Sequence, residues 1–210
     1  WPTELQPRPA RPLLEAQVVD LADSTAYHKH DLVDGLTADM FTEETLHDGC
    51  ALWRTAAERV ERDHPGFLAS TDDKNLRVER IANEVIGACI QDLTTASAEA
   101  IRDAGIASAD EARDADGLLI RHSPEMREQV AELHAFLYEH FYKHPELTEF
   151  SAFAREVLGH LFEAYTNAPS EMRPWFQAWA DEVGTARAAC DYIAGMTDRF
   201  AESEHERLAD

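Results

Sequence analysis

Apolar residues recur at helical spacing along most of this chain, and no stretch shows the period-two alternation of a half-buried strand. Leu14, Val18, Leu21, Leu32 and Leu36 mark one side of a first helix, expected over 12–34, with Pro12 in its first turn and Gly35 as the stop. A second helix is expected from Thr42 to just before His64-Pro65-Gly66. The Thr42 hydroxyl suits a cap, and Glu43 and Glu44 suit the positive end of the helix dipole. A third begins near 71–73, carries Leu76, Ile81, Val85, Cys89 and Leu93, and runs towards Gly105 with a break over the Thr/Ser-rich 94–97. The Asp- and Ala-rich stretch 103–118 reads as a surface connection with one short helix. Ser123-Pro124 opens a fourth helix, with Met126, Val130, Leu133, Leu137 and Phe141 on one face. A fifth follows Pro145 and holds Phe150, Phe153, Val157, Leu161 and Tyr165. The remainder divides into a short helix over 175–182 and a longer one over 185–208. The expected fold class is all-α, with no internal repeat.

Four prolines among the first twelve residues forbid regular structure there, so 1–11 is expected to be a linker or loop from an upstream segment and 12–210 a single helical portion. The net charge of −22, from 41 acidic against 19 basic residues, repels nucleic acid and anionic membranes. No apolar run is long enough to span a bilayer, and no secretory leader is visible. Three cysteines, Cys50, Cys89 and Cys190, lie far apart without a CxxC pair, which argues against a disulfide framework and fits a cytoplasmic location.

Chemistry concentrates in VVDLADSTAYHKHDLVDGL, residues 18–36. Asp23, Tyr27 and Asp31 are four residues apart and stack along one helix face, with Asp20 and Asp34 close to the same line. By spacing alone this is the polar side of an amphipathic helix; crowded carboxylates equally suit a bound cation. There is no Gly-rich phosphate loop, no GxSxG and no HExxH.

Two segments read together narrow this. LEAQVVDLADSTAYHKHDLVDGL (14–36) and ACDYIAGMTDRFA (189–201) resemble the bacterial deoxyguanosine triphosphate triphosphohydrolase family of HD-domain metallohydrolases, and 75–93 and 122–147 look like its later helices. The resemblance covers about two-thirds of the chain and implies the C-terminal part of an HD-domain-like assembly. It implies hydrolysis of a deoxynucleoside triphosphate to deoxynucleoside and inorganic triphosphate, with a divalent metal, Mn²⁺ or Mg²⁺. In this register Asp23 is the expected metal ligand, and Tyr27 and Asp31 line the substrate pocket. The His30-Asp31 dipeptide falls at the pocket position and not at the family's metal-binding pair. Arg77 and Arg80 are placed to meet a phosphate, and Tyr192 and Asp198 to border the nucleobase or a subunit interface. The family's remaining ligands, a His and a His-Asp pair in segments rich in His, match nothing here. They would come from a missing N-terminal segment or a second polypeptide, so the chain alone is expected to be inactive. A homo-oligomer is also implied. Two rivals remain: an acidic helical interaction or regulatory module without catalysis, and an HD phosphohydrolase acting on another nucleotide.

Overall fold

Eleven α-helices, with one π turn and one 3-10 turn, make up the regular structure of residues 11–209, the part that the computed structural model describes. Apart from Arg11, the expected linker lies outside these residues. Internal contacts divide the chain into two units at His144/Pro145.

The first unit holds α1 (Leu14–Thr37), α2 (Glu43–Gly49), α3 (Ala51–Asp63), α4 (Phe67–Ser70), α5 (Lys74–Asp103), α6 (Ala109–Arg113) and α7 (Pro124–Leu137). The π turn Tyr138–Tyr142 follows α7. Its core joins Leu32 and Leu36 of α1, Leu52 and Trp53 of α3, Val78, Ile81 and Val85 of α5, and Leu133 and Leu137 of α7. Only the C-terminal part of the expected α1 apolar stripe is buried. Leu14 and Leu21 are half-buried and Val18 is exposed.

Three boundaries differ from the sequence expectation, each for a visible reason. Gly35 does not end α1; the helix continues to Thr37. Its missing side chain makes room instead, because a Cβ there would lie 2.2 Å from Cε1 of the buried Phe41 ring. The second expected helix is two, because Cys50 is extended (φ −142°, ψ 107°) and the Ala51 N–H is donated to Glu132 of α7 at 2.9 Å. The third has no break at 94–97. The Thr94 and Thr95 hydroxyls donate to the carbonyls of Ile90 and Gln91 one turn back, so they are satisfied inside the helix while sharing acceptors it already uses.

The second unit holds α8 (Pro145–Asn167), the 3-10 turn Pro169–Glu171, α9 (Pro174–Val183), α10 (Thr185–Ala194) and α11 (Asp198–Ala209). The long last helix expected from the sequence is thus interrupted at Gly195, and the Thr197 carbonyl accepts from Phe200 and Ala201 to start α11. Ala188 and Ala189, both fully buried, let α10 approach α8 and α9 closely. The buried Tyr165 phenol donates to Glu204 at 2.8 Å, and Arg207 joins Glu204 to Glu171.

No described helix is long and apolar enough to cross a membrane. Cys50 and Cys89 are buried, and burial pushes both thiols up, Cys89 to about 11; Cys190 is exposed. A thiol reagent at neutral pH is therefore expected to modify one cysteine quickly in the native chain and all three after denaturation. Rapid native labelling of two or three would contradict this packing.

Candidate functional site

Helix α1 is the platform for the acidic ladder. Burial of Leu32 and Leu36 fixes its rotation, and Lys29 pairs with Glu79 of α5 at 3.1 Å. That rotation leaves Asp20, Asp23, Tyr27 and Asp34 exposed on the first unit and Asp31 half-buried. Val18 and Val19, at 43% and 66% exposed, add apolar surface to the same end of the helix.

Asp31 is already engaged: it accepts a hydrogen bond from the Tyr142 phenol. Tyr142 reaches it from the π turn, where the Lys143 N–H bonds back to the Tyr138 carbonyl, five residues earlier. Burial and the Asp31 carboxylate together push the Tyr142 phenol up to about 12, so it donates at every ordinary pH.

The ladder does not make a metal site by itself. A catalytic metal takes about three protein ligands, and among the described residues no three His, Cys, Asp or Glu side chains stand close enough to hold one.

Of the other expected site residues, Arg77, Arg80 and Tyr192 have partners of their own. Arg77 donates to Glu43 at 3.0 Å and to the Thr71 carbonyl at 2.6 Å, tying α5 to α2 and to the turn before it. Arg80 meets His64 at 2.9 Å. Tyr192 belongs to the second unit, where it is buried between Tyr165 and Phe176, so its ring serves the core there. Asp198 is exposed in the first turn of α11, beside a small cavity that Phe150 and Phe153 also line.

The most elaborate polar construction was not legible in the sequence. Gln17, buried in α1, accepts from the N–H groups of Leu119 and Ile120 at 3.0 and 3.2 Å and donates to the Pro12 carbonyl. Ser97 of α5 exchanges hydrogen bonds with the backbone of Arg121 at 3.0 and 3.3 Å. Asp92 accepts from the Ser123 N–H and lies 2.9 Å from Nδ1 of His122, whose side chain is only 7% exposed. Three side chains on two helices therefore hold residues 119–123 in place. The only sequence signal was that Gln17 and Ser97 fall on apolar faces.

Burial pushes the Asp92 carboxyl up, but hydrogen bonds from Ser123 and His122 outweigh it and hold the group below its ordinary value of 3.8. A carboxyl depressed by folding adds stability above that ordinary value and loses it as pH falls through the depressed one. Asp92→Asn is therefore expected to be less stable than the parent at pH 7, with the gap narrowing below pH 3.8. Urea melts at both pH values check it, and a gap that stays constant removes Asp92 from the acid response.

Residues 120–207 match the family described as phosphohydrolase-associated domain. Proteins named deoxyguanosinetriphosphate triphosphohydrolase-like are similar over nearly the whole chain. The one from Geobacter sulfurreducens is 36% identical over 94% of this chain and 50% of its own length. That from Deinococcus deserti is 42% identical over 93% and 50%, and that from Caulobacter vibrioides 38% over 92% and 48%. The chain thus spans about half the length of the curated relatives it matches.

Proposed function

We infer that this chain, which belongs to the deoxyguanosinetriphosphate triphosphohydrolase-like family, supplies one side of the active site of an enzyme that hydrolyses deoxynucleoside triphosphates to deoxynucleoside and inorganic triphosphate. The observation that carries this reading is the placement of Asp23, Tyr27 and Asp31 along one face of α1, in a helix buried on its other side at Gln17, Leu32 and Leu36.

Each residue has a role that its chemistry suits. Asp23, an exposed carboxylate, contributes one ligand to a divalent cation, Mn²⁺ or Mg²⁺, whose other ligands come from outside this chain. That cation supplies charge stabilisation at the phosphoryl group. Tyr27, one turn further on, offers a phenol face and hydroxyl to the sugar. Asp31 accepts from a sugar hydroxyl in exchange for Tyr142. The segments that complete the site are an N-terminal part or a second polypeptide, and 12–210 acts as the helical half of that assembly. The exposed valines beside Asp20 and Asp23 suit such a covering segment. Homo-oligomer formation and a cytoplasmic location belong to the same reading. Arg77 and Arg80, engaged with Glu43 and His64, carry no assigned step in it, and Asp198 belongs to the second unit.

Product analysis tests the reading. The complete gene product, given Mn²⁺ or Mg²⁺ and each deoxynucleoside triphosphate in turn, is expected to release intact triphosphate. Stepwise release of single phosphates points to another phosphohydrolase activity, and no turnover of any nucleotide points to a regulatory module.

A further inference from the structure

Ile120, Arg121 and His122, in the segment pinned by Gln17, Ser97 and Asp92, line a cavity of about 630 Å³ beside α1. Arg121, His122 and Arg127 line it opposite Asp20, and Leu21, Leu118 and Ile120 supply apolar surface. We propose that this cavity is a binding site for a phosphate-type oxyanion, held by Arg121 and Arg127, with the outward ring nitrogen of His122 placed to accept from a protonated phosphate oxygen.

Charge is the first argument. The chain carries 41 acidic residues against 19 basic ones, yet two arginines line this cavity against one carboxylate. Neither arginine is ion-paired among the described residues. Guanidinium groups match phosphate oxygens with paired N–H donors.

The second argument is preorganisation. Asp92 is held ionised, so the His122 Nδ1 facing it donates to that carboxylate, and Nε2 is directed away from it. The Arg121 backbone is fixed on both sides by Ser97. A site whose supports are locked before the ligand arrives loses little entropy on binding. The cavity exceeds what a free phosphate needs, so the anion is either free or the head of a phosphate ester whose organic part lies on Leu21, Leu118 and Ile120. The inference rests on the geometry of the first unit and not on the hydrolase reading.

The test is a titration of inorganic phosphate into the 210-residue chain, following the His122 ring signals and the Arg121 and Arg127 side-chain signals by NMR, beside potassium chloride at matched ionic strength. Saturable shifts at these three residues are expected with phosphate alone. Combined Arg121→Ala and Arg127→Ala removes two charged donors and is expected to weaken binding at least about tenfold. Both side chains belong to exposed residues, so the unfolding midpoint should hold. Asp20→Asn removes the opposing charge and is expected to tighten binding, which gives a variant that moves the other way. Phenyl phosphate separates the two sources: binding about tenfold tighter than phosphate identifies an ester, and equal binding identifies the free anion. Shifts that never saturate, that chloride reproduces, or that persist unchanged without the two arginines overturn the proposal.

Discussion

Asp23→Ala, made in the complete gene product, is expected to slow triphosphate release about 10³-fold, because a bound metal contributes several kcal/mol to phosphoryl transfer and each 1.36 kcal/mol is a factor of ten. The exposed position of Asp23 means that its loss leaves the core of the first unit untouched. The variant should therefore fold and melt as the parent does, and the defect should appear as weakened metal dependence and lost turnover. Glu15→Ala, which removes an exposed carboxylate from the first turn of the same helix, is the charge-matched comparison and should keep near-parental rates. Triphosphate release by the parent with an equally fast Asp23→Ala variant would remove the metal role from Asp23 and leave the family activity standing. Absence of triphosphate from the parent would remove the proposed activity itself.

Gln17→Leu should lower the unfolding free energy by about 3 kcal/mol. The substitution leaves the Leu119 and Ile120 N–H groups without their acceptor, and a buried donor left unpaired costs about 1–3 kcal/mol. Both residues are themselves buried, so water does not easily take the place of the lost amide. The added methyl groups of leucine recover only part of the loss, since the Pro12 carbonyl also loses its donor. Urea unfolding should show a lower midpoint at an unchanged slope. A loss below about 1 kcal/mol would mean that residues 119–120 find other partners.

How far the sequence could be read depended on the range of the interaction. Helices marked by local chemistry were legible: Ser123 and Pro124 open α7 as capping rules require, and Thr42 caps α2 through its hydroxyl. The ladder on α1 was legible for the same reason, being a matter of spacing within one helix. Gly35 was misread because glycine at a helix end usually serves conformation, whereas here it clears space for Phe41, which no local rule reveals. Gln17 and Ser97 were invisible because their partners lie 102 and 24 residues away. Periodicity reports which side of a helix is buried. It does not report which buried polar atom will meet which distant backbone.

The π turn after α7 has a consequence for helix length. An α-helix advances about 100° per residue, so one extra residue in a wide turn shifts everything after it by that angle. Tyr142 meets Asp31 because of this phase shift. With the same residues wound as an ordinary helix the phenol would stand about a quarter-turn aside, whereas deleting a single residue within 138–141 would let ordinary winding return it near its present bearing. Whether Asp31 is latched or open is thus written in how the residues between Leu137 and Tyr142 are wound, and a comparison of chains that matched only residue types would miss it.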